Sequence, residues 1–133
     1  MQTFTDIDLN FIRHPGTGDV TRLFNLDAIR NSIMNIVSGK PFEKPFDEFY
    51  GTGIRGILFS LNTPITQTIV RRIVKERLEL YEPRITVDDV VINGGTEKEQ
   101  AYAIDRHELN IEISYTVKNY GTQTVKIEME RVR

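Results

Sequence analysis

The chain has no cysteine and no tryptophan, and only two histidines and five prolines among 133 residues. Without thiols it can form neither disulfides nor thiolate metal sites, which suits assembly in a reducing compartment. His14 and His107 stand far apart and outside any HExxH context, so no metal motif is present in the sequence. Charge of one sign is also missing. Seventeen basic and 19 acidic side chains leave a formal net charge of −2, too weak a field to attract nucleic acid or anionic lipid. No apolar run approaches the roughly 18 residues of a membrane span, and Met1 to Arg30 lacks the basic start and apolar stretch of a secretory signal. The expectation is one domain of cytosolic manufacture, with no cofactor, metal, nucleic acid or membrane as partner.

What is present divides in two at Pro83. The first 24 residues, with the turn-rich His14-Pro15-Gly16-Thr17-Gly18, read as an extended arm or loop. Residues 25–82 read as a helical half. Asn25 is a candidate N-cap; Leu26, Ile29, Ile33, Ile36 and Val37 recur at helical spacing, and Gly39 is placed to end the helix in a left-handed conformation. Between Pro41 and Tyr50 the rings of Phe42, Phe46, Phe49 and Tyr50 suggest an irregular segment anchored in the core, with Phe46, Tyr50 and Phe59 buried. Ile54, Ile57, Leu58 and Leu61 suggest a short second helix. After Asn62, Thr63 and Pro64 open a longer helix whose expected apolar stripe is Ile65, Ile69, Val70, Ile73, Leu80 and Tyr81. Its other face, Arg71, Arg72, Lys75, Glu76 and Glu79, mixes signs and reads as a solvated or partner-facing surface.

After Pro83 the period falls from 3.6 to 2. Ile85 and Val87, then Val90 and Ile92, form one strand with a phase break at Asp88-Asp89 that predicts a bulge. Leu109 to Val117 alternates strictly. Val125, Ile127 and Met129 follow an Asn119-Tyr120-Gly121 turn. Gly94 to His107 reads as an exposed connection, in which Ala101 to Ile104 could extend a strand. The fold class predicted is α+β, with N-terminal helices on one face of a small antiparallel sheet over residues 84–133.

Gly51-Thr52-Gly53-Ile54-Arg55-Gly56 matches GxGxxG in letters alone. A dinucleotide fingerprint must follow a buried strand and open the helix of a βαβ unit, and Phe46 to Tyr50 is no such strand. A glycine-rich helix entry is the better reading. The acids Glu43, Asp47, Glu48, Asp88, Asp89, Glu97 and Glu99 form no motif for a paired-carboxylate hydrolase. Ser32, Ser38, Ser60 and Ser114 sit in no nucleophile elbow. No residue is assigned as catalytic, cofactor-binding or metal-binding.

Glu82-Pro83-Arg84 is the most telling tripeptide. Proline stops the helix and pushes Glu82 toward extended geometry, and residues two apart on an extended segment share a face. An acid and a base therefore project together. Taken with Pro45 to Phe59, Thr63-Pro64, Tyr81 to Ile85, the opening Phe4-Thr5-Asp6-Ile7-Asp8 and the Asn25 to Gly39 helix, the pattern resembles the baseplate wedge family of contractile phage tails. That family is often labelled lysozyme-like and has relatives in type VI secretion baseplates. Tyr50, where the family usually has phenylalanine, and Ser60, where it commonly has an acid, are departures. The resemblance implies a non-enzymatic virion protein, assembled in the host cytoplasm and present in several copies in a symmetric baseplate. It implies that Glu82, Pro83 and Arg84 dock on the core bundle of other wedge subunits, Arg84 meeting a partner's acceptor and Glu82 a donor. It also implies that the sheet templates the first ring of tail sheath protein. A terminal strand from Thr124 to Val132, with Thr124, Lys126, Glu128 and Glu130, would leave an edge for strand addition, while its charges, Arg131 included, would limit indiscriminate pairing. The alternatives are a peptidoglycan-cleaving tail enzyme and a small cytosolic adaptor.

Overall fold

Stretches of period 2 and period 3.6 give the elements in chain order: β1 Thr5–Ile7, β2 Arg22–Phe24, α1 Leu26–Ser38, a 3-10 helix Ile54–Phe59, α2 Pro64–Tyr81, β3 Ile85–Ile92, β4 Glu108–Val117 and β5 Gly121–Glu130. The computed structural model describes residues 3–8, 10–59, 63–93 and 108–130. Outside them fall Ser60, Leu61 and Asn62, the Gly94 to His107 connection with Glu97, Glu99 and the Ala101 to Ile104 strand extension, and Arg131 and Val132. The side chains of Leu58, Phe59 and Glu130 are likewise outside the described set.

The strands β3, β4 and β5 form an antiparallel sheet in that order. Alternation buries Leu109, Ile111, Ile113, Tyr115 and Val117 from β4, and Val125, Ile127 and Met129 from β5, in one core with the helices. The register of β3 shifts between Val87 and Asp89. The predicted bulge lets Ile85 and Val87 share the inner face with Val90 and Ile92, despite the odd spacing. From α1, Ile29, Ile33, Ile36 and Val37 join the same core, as the spacing predicts.

Thr63 caps α2 by accepting from the Thr66 N–H at 3.2 Å, with Pro64 in the first turn. The buried line of α2 differs from the expected stripe: it is Val70, Val74 and Leu78, four apart, interleaved with charges. This rotation leaves Ile65, Ile69 and Leu80 exposed.

Two further expectations fail at helix α1. The Asn25 side chain accepts from no N–H of the first helical turn; its Oδ1 instead accepts from the Phe4 N–H at 3.3 Å. Gly39 is extended (φ −67°, ψ 148°) rather than left-handed. Its missing side chain serves close approach, because a Cβ there would lie 2.9 Å from the Asn35 carbonyl oxygen, and Gly51 in turn packs so tightly that its own Cβ would lie 2.6 Å from the Gly39 carbonyl group. The first 24 residues are no open arm. β1 and β2 pair as Thr5↔Phe24, Asp6↔Leu23 and Ile7↔Arg22, Arg13 bridges Val20, and the His14 Nδ1 accepts from the Gly16 and Thr17 amides at 3.2 Å to shape the tip.

The Pro41 to Tyr50 segment departs most from expectation. Lys40-Pro41-Phe42-Glu43 and Lys44-Pro45-Phe46-Asp47 are tandem copies of one turn, each closed by a 3.3 Å bond from the fourth N–H to the first carbonyl. In each the phenylalanine has φ 67°, the left-handed third position of a type II turn that ordinarily takes glycine. Phe42, Phe46 and Phe49 all point to solvent, Phe46 fully. Only Tyr50 is half-buried, edge-on to Tyr81 with ring centres 5.1 Å apart.

Candidate functional site

Leu78 ends α2 by accepting the Glu82 N–H at 2.9 Å, and the Glu82 carbonyl accepts from Ile85 N at 3.4 Å, so Pro83 and Arg84 span the corner into β3. Glu82 (φ −124°, ψ 80°) does not take the expected extended conformation; a turn through Pro83 and Arg84, closed by the Ile85 N–H on the Glu82 carbonyl, brings the two charges together. They close on each other: Arg84 Nε donates to Glu82 Oε1 at 2.5 Å and Arg84 Nη2 to Glu82 Oε2 at 2.6 Å. A fork on a carboxylate of this kind is strong and directional. Ser32 Oγ, from α1, donates to Glu82 Oε2 at 2.5 Å. The Glu82 side chain is only 2% exposed and that of Arg84 29%. The Arg84 guanidinium lies 5.0 Å from the centre of the Phe4 ring, and the hairpin is tied to α1 by Asn31 Nδ2 donating to Asp6 Oδ2 at 3.2 Å. The corner thus clamps both helices, β3 and the N-terminal hairpin.

Burial by itself would raise the Glu82 pKa, but the hydrogen bonds from Arg84 and Ser32, with the Coulomb attraction of Arg84, outweigh it and hold the carboxyl below its usual value. The hydrogen bond to Glu82 in turn raises Arg84. Burial also raises the Tyr50 phenol nearby, helped by the charges of Glu82 and Asp47. Glu82 is therefore spent within the chain. Of the tripeptide, a partner can reach the exposed Pro83 and the half-buried Arg84.

The second predicted surface is the outer strand β5, where Thr124, Lys126 and Glu128 are exposed and Glu130 closes the strand. The ladder fixes which backbone groups face out. Asn93 N donates to Asn110 O at 2.7 Å, so even-numbered residues of β4 bond toward β3 and odd-numbered ones toward β5. With Ile113 opposite Val125 and no register shift, odd residues of β5 bond inward. Thr122, Thr124, Lys126 and Glu128 therefore carry outward N–H and C=O groups.

The opposite edge is blunted. By the same parity Val90 bonds outward from β3, yet its N–H is taken by Asp89 Oδ1 at 2.8 Å and its C=O by Arg71 Nε at 2.8 Å. Ser32, Arg71 and Asp89 escaped the sequence reading as contributors. The bulge signal at Asp88-Asp89 was visible, but nothing in the order of residues tells that Arg71 reaches 19 positions along to a carbonyl.

Gly51 to Gly56 follows turns rather than a strand and opens a six-residue 3-10 helix. Thr52 Oγ1 donates to Val37 O at 2.6 Å and Gly53 N to Gly39 O at 3.2 Å, so the motif's polar groups bind the end of α1. Among the described residues, no three His, Cys, Asp or Glu side chains cluster as a metal site.

These geometries can be set beside known proteins. The profile of the family described as "Baseplate wedge protein gp25" matches residues 25–121. The curated baseplate wedge protein gp25 of Enterobacteria phage T4 is 32% identical over 90 residues, covering 68% of this chain and 66% of its own length. The chain therefore matches just under two thirds of that relative. A crystal structure from Geobacter sulfurreducens, provisionally described as a tail lysozyme, superposes with a TM-score of 0.65 at 26% identity, over 80% of this chain and 91% of the other. A chain of the anti-feeding prophage baseplate shares the fold, with a TM-score of 0.71 at 21% identity, over 88% of this chain and 87% of that one. With the match spanning both helices, β3, β4 and the corner between them, the chain belongs to the baseplate wedge protein gp25 family.

Proposed function

We propose that this chain is a structural, non-catalytic part of a contractile-tail baseplate, built in the host cytoplasm and present in several symmetric copies. It docks on the helical core of other wedge subunits through the Pro83-Arg84 corner, and it offers the β5 edge to an extended segment of tail sheath protein. The observation that carries this reading is the difference between the two sheet edges: β3 is blocked at Val90, whereas β5 presents outward amides on exposed residues.

Proline at an outward position removes the donor that strand addition needs while sparing the inward ladder. Glu128→Pro should yield baseplates with tubes but without ordered sheath, and Glu128→Ala should assemble almost normally. Sheath that polymerises on a correctly folded Glu128→Pro protein as well as on wild type would rule out the strand-addition route.

A peptidoglycan-cleaving reading draws on the description of the Geobacter relative. The buried Glu82 does not supply the acid it would need. A glycosidase acid needs a raised pKa so that it can hold a proton, and Glu82 is held low by Arg84 and Ser32. Purified protein should release no soluble fragments from cell walls. Release that disappears when a candidate acid such as Asp47 or Glu48 is changed to its amide would establish the enzymatic reading instead.

A further inference from the structure

We propose that two copies of this chain pair through the β5 edge about a two-fold axis at Ile127, making one continuous antiparallel sheet. This goes beyond the sheath reading and rests only on the geometry of the edge and its charges. Outward-bonding residues are even-numbered, so an antiparallel copy must set even against even. Centring the pair on Lys126 sets lysine against lysine at the axis, and centring it on Glu128 sets glutamate against glutamate at the axis, although Lys126 then meets Glu130. Centring on Val125 puts Lys126 against Thr124 and leaves the charges unmatched. Only the register about Ile127 places Lys126 opposite Glu128 of the second copy, twice over by symmetry.

The inner face matches in the same register. Val125 falls opposite Met129 of the second copy, and Ile127 opposite its own equivalent, continuing the apolar layer that these residues already form. Every outward group from Thr124 to Glu128 finds a backbone partner, and the pairing is isologous, the commonest form of oligomer contact. Lys126 is free to turn to the new partner: its contact with Glu112 on β4 is 3.7 Å long, with the two side chains 74% and 46% exposed, and such pairs hold weakly. The dimer would cover an edge that otherwise invites indiscriminate strand addition before assembly.

Sedimentation equilibrium of the full chain up to about 1 mM, the weak end of specific association, tests this directly. Wild type should dimerise reversibly. Lys126→Glu and Glu128→Lys should each weaken the dimer roughly tenfold or more, because every symmetric contact then carries like charges. The combined reversal should restore it. Amide exchange should slow with concentration at Thr124, Lys126 and Glu128 but not at Val125 or Ile127, whose amides are already in the ladder. A monomer at all concentrations overturns the proposal. So does a dimer indifferent to the single reversals, one not recovered by the double reversal, or one that leaves the even-numbered amides unprotected. Both charge reversals keep the backbone donors in place, so sheath addition succeeds or fails independently of this result.

Discussion

The two edges of the sheet both set buried aliphatics beside exposed polar side chains, yet they end in opposite states. β3 reads Ile-Thr-Val-Asp-Asp-Val-Val-Ile, and its bulge aims Asp89 at the Val90 amide while Arg71 of α2 reaches the Val90 carbonyl. β5 runs without a register shift against β4 and carries only Thr, Lys and Glu on its exposed positions from Thr122 to Glu128. The lesson is that composition does not make an edge open or closed. A neighbouring helix and one extra residue close the first, and the absence of both among the described residues leaves the second available to another chain.

The sharpest contrast lies between either edge and the strand that separates them. Ile113 is fully buried at the centre of β4. Ile113→Ala should cost about 2 to 5 kcal/mol by chemical denaturation, whereas Lys126→Ala should change stability by under about 0.5 kcal/mol. Comparable losses would mean that β5 is held by contacts other than its inward face.

Next in size is the corner that feeds β3. Arg84→Ala leaves Glu82 buried with Ser32 alone, and should destabilise by about 2 to 3 kcal/mol, below the range for a fully buried pair because the Arg84 side chain keeps 29% exposure. The pH dependence has a definite sign. Glu82 titrates below its usual value when folded, so its stabilisation is complete above the unfolded carboxyl pKa and is lost as pH falls through the lowered folded one. Unfolding curves from pH 6 to pH 3, roughly bracketing the ordinary carboxyl range, should fall more steeply for wild type than for Glu82→Gln.

Smaller effects probe the blunted edge and the turns. Arg71→Ala should cost about 1 kcal/mol and free the Val90 carbonyl, bringing β3 closer to the open state of β5. Concentration-dependent aggregation of that variant, absent from Lys126→Ala, would confirm that Arg71 guards the edge. Phe46→Gly should stabilise by about 0.5 to 1 kcal/mol, since glycine accepts the left-handed φ of 67° without its steric cost. Destabilisation on that change would show that the exposed ring holds the loop.

The sheet was legible because one rule governs it: side chains alternate, so the period at Leu109 to Val117 and the phase break at Asp88-Asp89 translate directly into burial and a bulge. The start of α2 was legible from Thr63-Pro64. The inner stripe of α2 was less so, since Val74 and Leu78 lie among charges and the rotation of a helix is set by its neighbour. The loop was misread because large aromatics suggest burial, while two Lys-Pro-Phe turns fix the backbone and aim the rings outward. For the candidate site, the spacing of Glu82 and Arg84 pointed to a neighbouring acid and base, although a turn rather than the expected extended segment brings them together. Their closure on each other, and on Ser32 50 residues away in sequence, depends on tertiary packing that local pattern does not encode.

The central claim is that the β5 edge is where another chain joins this one. A density map of the assembled tail, at a resolution that traces strands, tests it most directly. The account predicts an added strand bonded to the backbone of Thr124, Lys126 and Glu128, with the β3 edge still closed by Arg71 and Asp89. A particle in which β5 stays bare while sheath is ordered around it would contradict the account.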